Sequence, residues 1–206
     1  MKVRLAVLCV VGGVAAAAMG LGPAHIARAA SPDSADSPSP VSPKVDRAHN
    51  INFLFQALKA APDDETARLI EGRIWAMWLV SGSDTADLLM SRARAAIEQN
   101  DADLAIQLLD AIIELKPDYA EAWNRRATLY FEKHDYGRAM SDIAQVLARE
   151  PRHFGALTGL GMILEDVGDN RRALEAFRRA LEVDPRLERV PEIVKSLTEK
   201  VEGRGI

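Results

Sequence analysis

Eight columns of like residues recur at intervals of 34 along this chain, and few sequence features restrict a fold so tightly. Pro117, Pro151 and Pro185 form one column. The same step links Ala105, Ala139 and Ala173; Leu89, Trp123 and Leu157; Ala93, Ala127 and Gly161; and Ala96, Tyr130 and Leu164. It also links Leu109, Ile143 and Phe177; Ile112, Val146 and Ala180; and Ile113, Leu147 and Leu181. A fixed period in this range marks stacked repeats, each a supersecondary unit that cannot bury its apolar face alone.

Each unit reads as two helices. Residues 120, 123, 127, 130 and 131 place apolar or small side chains at helical spacing from Ala120 to Phe131. After a short break, Ala139, Met140, Ile143, Val146 and Leu147 share a face from Tyr136 to Arg149. Pro151 stands just past that helix, where proline stops a helix without breaking it. The small columns at 93/127/161 and 105/139/173 let the two helices of a unit approach closely. The turn column is Asn100, His134 and Gly168, residue types suited to a left-handed helix end. His134 therefore has a backbone role to set against a metal or catalytic one. Asp101, Asp103, Asp135 and Asp169 flank these turns as expected N-caps.

The pattern resembles the tetratricopeptide repeat, a 34-residue helix-turn-helix family. The signature positions are clearest at Trp123, Ala127, Tyr130, Ala139, Ile143, Val146 and Pro151. They recur at Leu157, Leu160, Gly161, Ala173, Phe177, Ala180 and Pro185, and more loosely at Leu89, Ala93, Ala105 and Pro117. The resemblance implies an all-α fold, a short right-handed α-solenoid of such repeats over 86–119, 120–153 and 154–187. An atypical, degenerate helical pair is expected over 47–85, with helices at 47–60 and 64–80, and a capping helix and tail over 188–206. Trp75, Trp78 and Leu79 stand one step before Leu109, Ile112 and Ile113, so Trp75 and Trp78 are expected in the core against the first repeat. Pro191 to Val201 reads as the closing helix, with Ile193, Val194 and Leu197 inward and Lys195, Glu199 and Lys200 outward. One family position departs: an aliphatic residue in the third unit, Leu160, is Arg92 and Arg126 in the others. A buried arginine needs a partner, so these two are expected at an edge or paired with acids of an adjacent helix.

The N-terminus reads as an address. Lys2 and Arg4 precede an uncharged apolar run from Leu5 to Leu21, and Ala27-Arg28-Ala29 supplies a small-residue exit. These are the parts of a secretory signal peptide over 1–29. The run falls short of the roughly 20 residues a spanning helix needs, which weighs against an uncleaved membrane anchor. Cys9, the one cysteine, follows Leu8 inside the run, a poor lipoprotein context, and cleavage after Ala29 leaves no thiol. Residues 30–46 read as a disordered linker, with five Ser and four Pro between Ser31 and Lys44. The expected location is periplasmic or secreted.

The 206 residues carry 48% hydrophobic side chains and a net charge of −4, enough for a sizeable core and without the cationic field of a nucleic-acid binder. One cysteine cannot close an internal bridge. Gly159-Leu160-Gly161 fails as a nucleotide loop because it lies mid-helix. His49, His134 and His153 lack metal-ligand spacing, and no serine sits on a nucleophile elbow. No catalytic residue, metal or cofactor is expected, and the chain reads as non-enzymatic.

The family resemblance implies a concave face lined by the first helix of each unit. The expected lining is Asp87, Met90, Arg94 and Ile97 with Glu98; Glu121, Asn124, Thr128 and Phe131 with Glu132; and Thr158, Met162 and Glu165 with Asp166. An apolar strip (Met90, Ile97, Phe131, Met162) runs inside a mainly acidic rim. The plainer alternative is a set of ordinary amphipathic helix faces. The lysines and asparagines of the family's carboxylate clamp are missing at the matching positions. The expected partner is a protein or peptide, basic or amphipathic, taken up in this groove. A rival reading is a structural subunit of an envelope assembly or homo-oligomer that packs through its repeat edges.

Overall fold

The computed structural model describes residues 43–203, with side chains from Asn50 onward. The expected leader, Cys9 and the linker up to residue 42 lie outside the described residues. Nine α-helices and no strand are found among the described residues: α1 (Pro43–Lys59), α2 (Asp64–Trp78), α3 (Asp84–Glu98), α4 (Ala102–Leu115), α5 (Ala120–Glu132), α6 (Tyr136–Arg149), α7 (Phe154–Asp166), α8 (Asn170–Val183) and α9 (Val190–Glu202). This is the all-α repeat architecture that the 34-residue period implies. Helix α1 starts at Pro43, inside the segment expected to be linker. A proline in the first turn costs nothing there, since its missing N–H is one the helix leaves unpaired anyway.

Helices α3–α4, α5–α6 and α7–α8 form three hairpins, and α4 packs on α5, α6 on α7 and α8 on α9. Local chemistry fixes each hairpin. Asn100, His134 and Gly168 all adopt left-handed backbone, φ 59°, 58° and 85°, and turn the chain between the paired helices. Directly after them Asp101, Asp135 and Asp169 cap the second helices, accepting the amide protons of Leu104, Arg138 and Arg172. Asp103 is not a cap. It lies within the first turn of α4, and its carboxylate takes a 2.8 Å hydrogen bond from Lys133 of the next unit.

Within each hairpin the small residue of the first helix is matched to the large one of the second. Ala93 faces a core holding Leu109, Ala127 one holding Ile143, and the third unit carries the smallest and largest of the series. There a Cβ added to Gly161 would stand 2.8 Å from the fully buried Phe177 ring. The hairpins approach closely because residue volumes are traded across the crossing.

The arginine column divides as its surroundings dictate. Arg126 is half-buried and bonds Asp142 through Nε and Nη2, both at 2.8 Å, and Asp110 through Nη1. Its bonds to Asp142 first, and to Asp110 with it, hold the guanidinium charged more firmly than usual against the cost of burial. Arg92 stands exposed at the edge of the stack. At the other end α9 closes the structure as expected: Leu197 is buried, Ile193 and Val194 half-buried, and Lys195, Glu199 and Lys200 face out.

The α1–α2 hairpin is not where its register suggests. Phe55, Leu58, Ile74 and Trp78 share a core with Phe154, Leu157, Ala180 and Val183 of the third unit. The core of the first unit contains no residue of the hairpin. Three connecting turns carry it. Tyr119 donates to the carbonyl of Leu79 at 2.7 Å, His153 stacks on Trp78, and Leu187 packs into the shared core. These three residues are themselves one 34-residue column. Arg152 bonds Asn52 and covers the Phe55 ring. Arg186, one step on, bonds Asp64 and takes up the carbonyls of Ala61 and Pro62 in the loop between α1 and α2.

Replacing Gly161 by alanine tests the volume trade. Helix propensity alone would favour the change by about 1 kcal/mol, but overpacking against a ring with no room to move costs about 1–3 kcal/mol. The expected outcome is a lower urea midpoint for Gly161→Ala, and little or no loss when the same change is made beside Phe177→Leu.

Candidate functional site

The first helices of the three units set the candidate face. Helix α5 lies against α7, and residues 34 apart on α3, α5 and α7 occupy equivalent positions. One such row is Arg94, Thr128 and Met162, and the next is Ile97, Phe131 and Glu165.

The expected lining residues meet different fates. Arg94 and Glu165 are exposed; Ile97, Asn124, Thr128, Phe131, Thr158 and Met162 are half-buried. Asp87 is half-buried and accepts the amide of Ser81, so it ties down the connection from α2 rather than lining open surface. Met90 is not a lining residue. At 3% exposure it belongs to the first core, with Ala86, Ala93, Leu109 and Leu129. Glu121 is not one either, at 1% exposure. It is ion-paired to Arg125 Nε at 2.9 Å and accepts from Asn124 Nδ2 at 3.1 Å. A carboxylate so placed is held by its partners and withdrawn from a ligand. Thr128 donates to the carbonyl of Asn124, which leaves its methyl as the outer surface.

Where Glu121 withdraws, an aromatic cluster closes one end of the face. His153 is fully buried, caps α7 by accepting the Ala156 amide on Nδ1 at 3.1 Å, and therefore carries its ring proton on Nε2 when neutral. That nitrogen faces Glu121 Oε2 at 3.5 Å. Trp78 stacks on the imidazole with centroids 4.0 Å apart, and Trp75 meets it edge-on at 5.3 Å. A Cβ at Gly155 would stand 2.9 Å from the Trp75 ring, so only glycine admits this indole against α7. The two tryptophans are thus core residues, as expected, but against the third unit instead of the first. The sequence carried a signal for this: the column Tyr119, His153, Leu187 and the pair Arg152, Arg186 recur at 34 on the connecting turns, where no repeat signature asks for them.

The opposite end of the face is open and acidic. Glu98, Glu132 and Asp166 form a 34-residue column at the C-terminal ends of α3, α5 and α7, all exposed, with Glu165 beside the last. Helix C-termini carry partial negative charge, so the carboxylates and the backbone act in the same sense. Asp166 is partly engaged, accepting from Tyr136 at 2.9 Å; burial first, and then this bond, raise the tyrosine pKa. Glu165 also borders an open pocket of about 290 Å³ with Arg189, Glu192, Ile193 and Ser196 of the cap.

An acid pair lies between α2 and the exit of α8. Glu71 of α2 faces Asp184, which is fully buried at the exit of α8. Burial first, and the Asp184 charge second, push the Glu71 carboxyl up to about 7, against the opposing pull of Arg68 and with Glu188 adding to the rise. Burial raises Asp184 as well. Below about pH 7 a proton retained on Glu71 eases the repulsion between the two.

Comparison with known proteins sets these features in a family. A tetratricopeptide repeat family model matches residues 90–150 and 124–186. A TPR repeat-containing protein of Rhizobium etli is 45% identical over 153 residues, covering 74% of this chain and 75% of that protein. Among solved structures, the first TPR domain of Spaghetti, bound to an HSP90 peptide, superposes with a TM-score of 0.55 at 19% identity, over 58% of this chain and 95% of that one. MamA superposes with a TM-score of 0.53 at 19% identity, over 78% and 82%. At these identities the structural likenesses establish the fold.

The acid pair gives a pH dependence with a definite sign. A carboxyl whose folded pKa is raised adds most to stability below its ordinary value, and that contribution is lost as pH rises through the folded pKa. Thermal unfolding followed by tryptophan fluorescence should therefore show a midpoint that falls between about pH 4.5 and 7. Glu71→Gln should flatten that fall and be the more stable protein at pH 8.

Proposed function

Because the chain belongs to the tetratricopeptide repeat family, we propose that it is a non-enzymatic protein-interaction module that receives a peptide or helix on the face of α3, α5 and α7. The observation that carries this reading is the column Glu98, Glu132 and Asp166 at the open end of that face, beside the half-buried strip of Ile97, Phe131 and Met162. A partner with a basic, amphipathic segment meets both: cations reach the acids and the helix ends, and apolar side chains cover the strip.

The mechanism is rigid presentation. Three stacked hairpins hold the surface in place before the partner arrives, so little ordering of the receptor is spent on association. Met162 suits a variable partner, since its unbranched side chain adapts to different shapes. The Trp75–Trp78–His153 cluster bounds the surface at its other end, so the ligand lies toward the C-terminal ends of the three helices. The peptide held by the TPR domain of Spaghetti is a precedent for the mode of recognition, not for the ligand. We further propose that the chain works outside the cytoplasm, on the strength of the signal-peptide pattern that the sequence carries over 1–29, and that its working domain is the three repeats with their flanking helices.

The test is a charge reversal at the two acids that make no other bond. Phe131 and Met162 help to hold their cores, so replacing them would mix folding with binding. Capture of partners from an envelope extract by the full chain should give at least one specific protein at low salt. That protein should be lost with Glu98→Lys/Glu132→Lys and weakened at high ionic strength, as exposed charge pairs are. Equal capture by the variant would remove this face from consideration.

A further inference from the structure

The first unit ends on a face that the other two units bury. In α5, Ala122 and Leu129 are buried against the first unit; in α7, Ala156 and Ile163 are buried within the stack. The equivalent residues of α3 are Leu88, 56% exposed, and the exposed Ala95. Leu104, 44% exposed, and Leu108 continue the apolar surface on α4, and with Arg92 and Gln99 they line an open groove of about 330 Å³. This surface is separate from the one assigned above.

The chain itself displays what such a face accepts. Helix α4 docks on the second unit through Asp103, Ile106 and Asp110, spaced at i, i+3 and i+7. Ile106 packs into the second core, Asp103 meets Lys133, and Asp110 meets Arg126. On the open face Arg92 takes the place of Arg126, Gln99 that of Lys133, and Leu108 that of Asp142. The acid that Arg126 draws from its own unit is therefore missing for Arg92, and the surface beside it is more apolar. The chain's preceding helix does not supply the need: at the three docking positions α2 carries Leu69, Gly72 and Ala76, with no carboxylate. That is a physical reason for the hairpin to seat on the third unit. A second copy docking head to tail fits poorly, since the exposed residues of α9 are charged or polar apart from Pro191 and offer no aliphatic ridge.

We propose that the open α3–α4 face of the first unit binds an amphipathic helix of another protein, through an aliphatic ridge against Leu88, Leu104 and Leu108 and an acid against Arg92. The partner continues the stack in trans, by the same contacts that join the units in cis.

The probe is a fluorescein-labelled peptide of α4, residues 102–116, added to the full chain and followed by anisotropy. Binding is expected, with Arg92→Glu weakening it roughly fivefold, the scale of one exposed charge pair. A peptide carrying Asp110→Lys should bind the wild type more weakly and recover on Arg92→Glu. Leu104→Lys, at an exposed position, should weaken both peptides, and circular dichroism should show every variant folded. No binding to the wild type, or binding indifferent to Arg92 and Leu104, would overturn the proposal. So would a dimer of the full chain that either substitution dissociates, which would make a second copy the occupant.

Discussion

A helical hairpin of this length has two apolar faces and can bury only the one between its own helices. Every other feature of the molecule answers that constraint. The second unit is buried on both sides, which is why its apolar columns are the most regular. Ala122 and Leu129 are closed by the first unit, and Ile143 and Val146 by the third. The third unit gains α9 on one side and the α1–α2 hairpin beneath it. Among the described residues the first unit gains a neighbour on one side only, and its Leu88 and Leu104 stay exposed. Stability in such a stack is close to a sum of units and interfaces, so the hairpin adds its interface to the third unit and leaves the first as it was.

The repeats were legible because their determinants are local and recur. Proline stops, left-handed turn residues, aspartate caps and the small-large exchange of Gly161 and Phe177 each act within a few residues or one crossing, and the period repeats them. The seat of the hairpin was not legible, because register reports which face of a helix is apolar and not which surface will cover it. Trp75 and Trp78 keep the 34-residue step as α4 does, yet their partners are His153, Phe154 and Gly155. What decided the matter was a set of residues that the repeat signature ignores: the two arginines on the connecting turns, and a glycine able to admit an indole.

The candidate face was legible in part for the same reason. Equivalent positions of a repeat do not have equivalent exposure when their neighbours differ. Met90 and Asn124 share a column, but Met90 turns into the first core while Asn124 stays at the surface, bonded to Glu121. Glu121 and Gly155 share another, and both serve the aromatic cluster, one by facing the buried imidazole and the other by making space. A carboxylate in a rim column reads as solvent-facing until the arginine one turn along, Arg125, claims it. The column at the helix ends largely escapes this: Glu98, Glu132 and Asp166 all stay exposed, although Tyr136 of the second unit reaches across to Asp166.

The arginine column joins these threads. Where that position is buried, a guanidinium is tolerated only when carboxylates meet it, because an unpaired buried charge costs several kcal/mol, about 3–5 when one partner is removed. Arg126 is met from both sides, by Asp142 of its own unit and Asp110 of the unit before, so it acts as a polar pin that fixes which helix lies against α5 and in what register. Leu160 at the same position of the third unit makes an apolar joint to α6 instead, without that selectivity. Arg92 has neither carboxylate and stands exposed to water. The same residue type thus marks a closed joint in the second unit and an unfilled one in the first, and the difference lies on both sides of it: Asp142 and Asp110 meet Arg126, whereas the matching positions for Arg92 are Leu108 and Ala76.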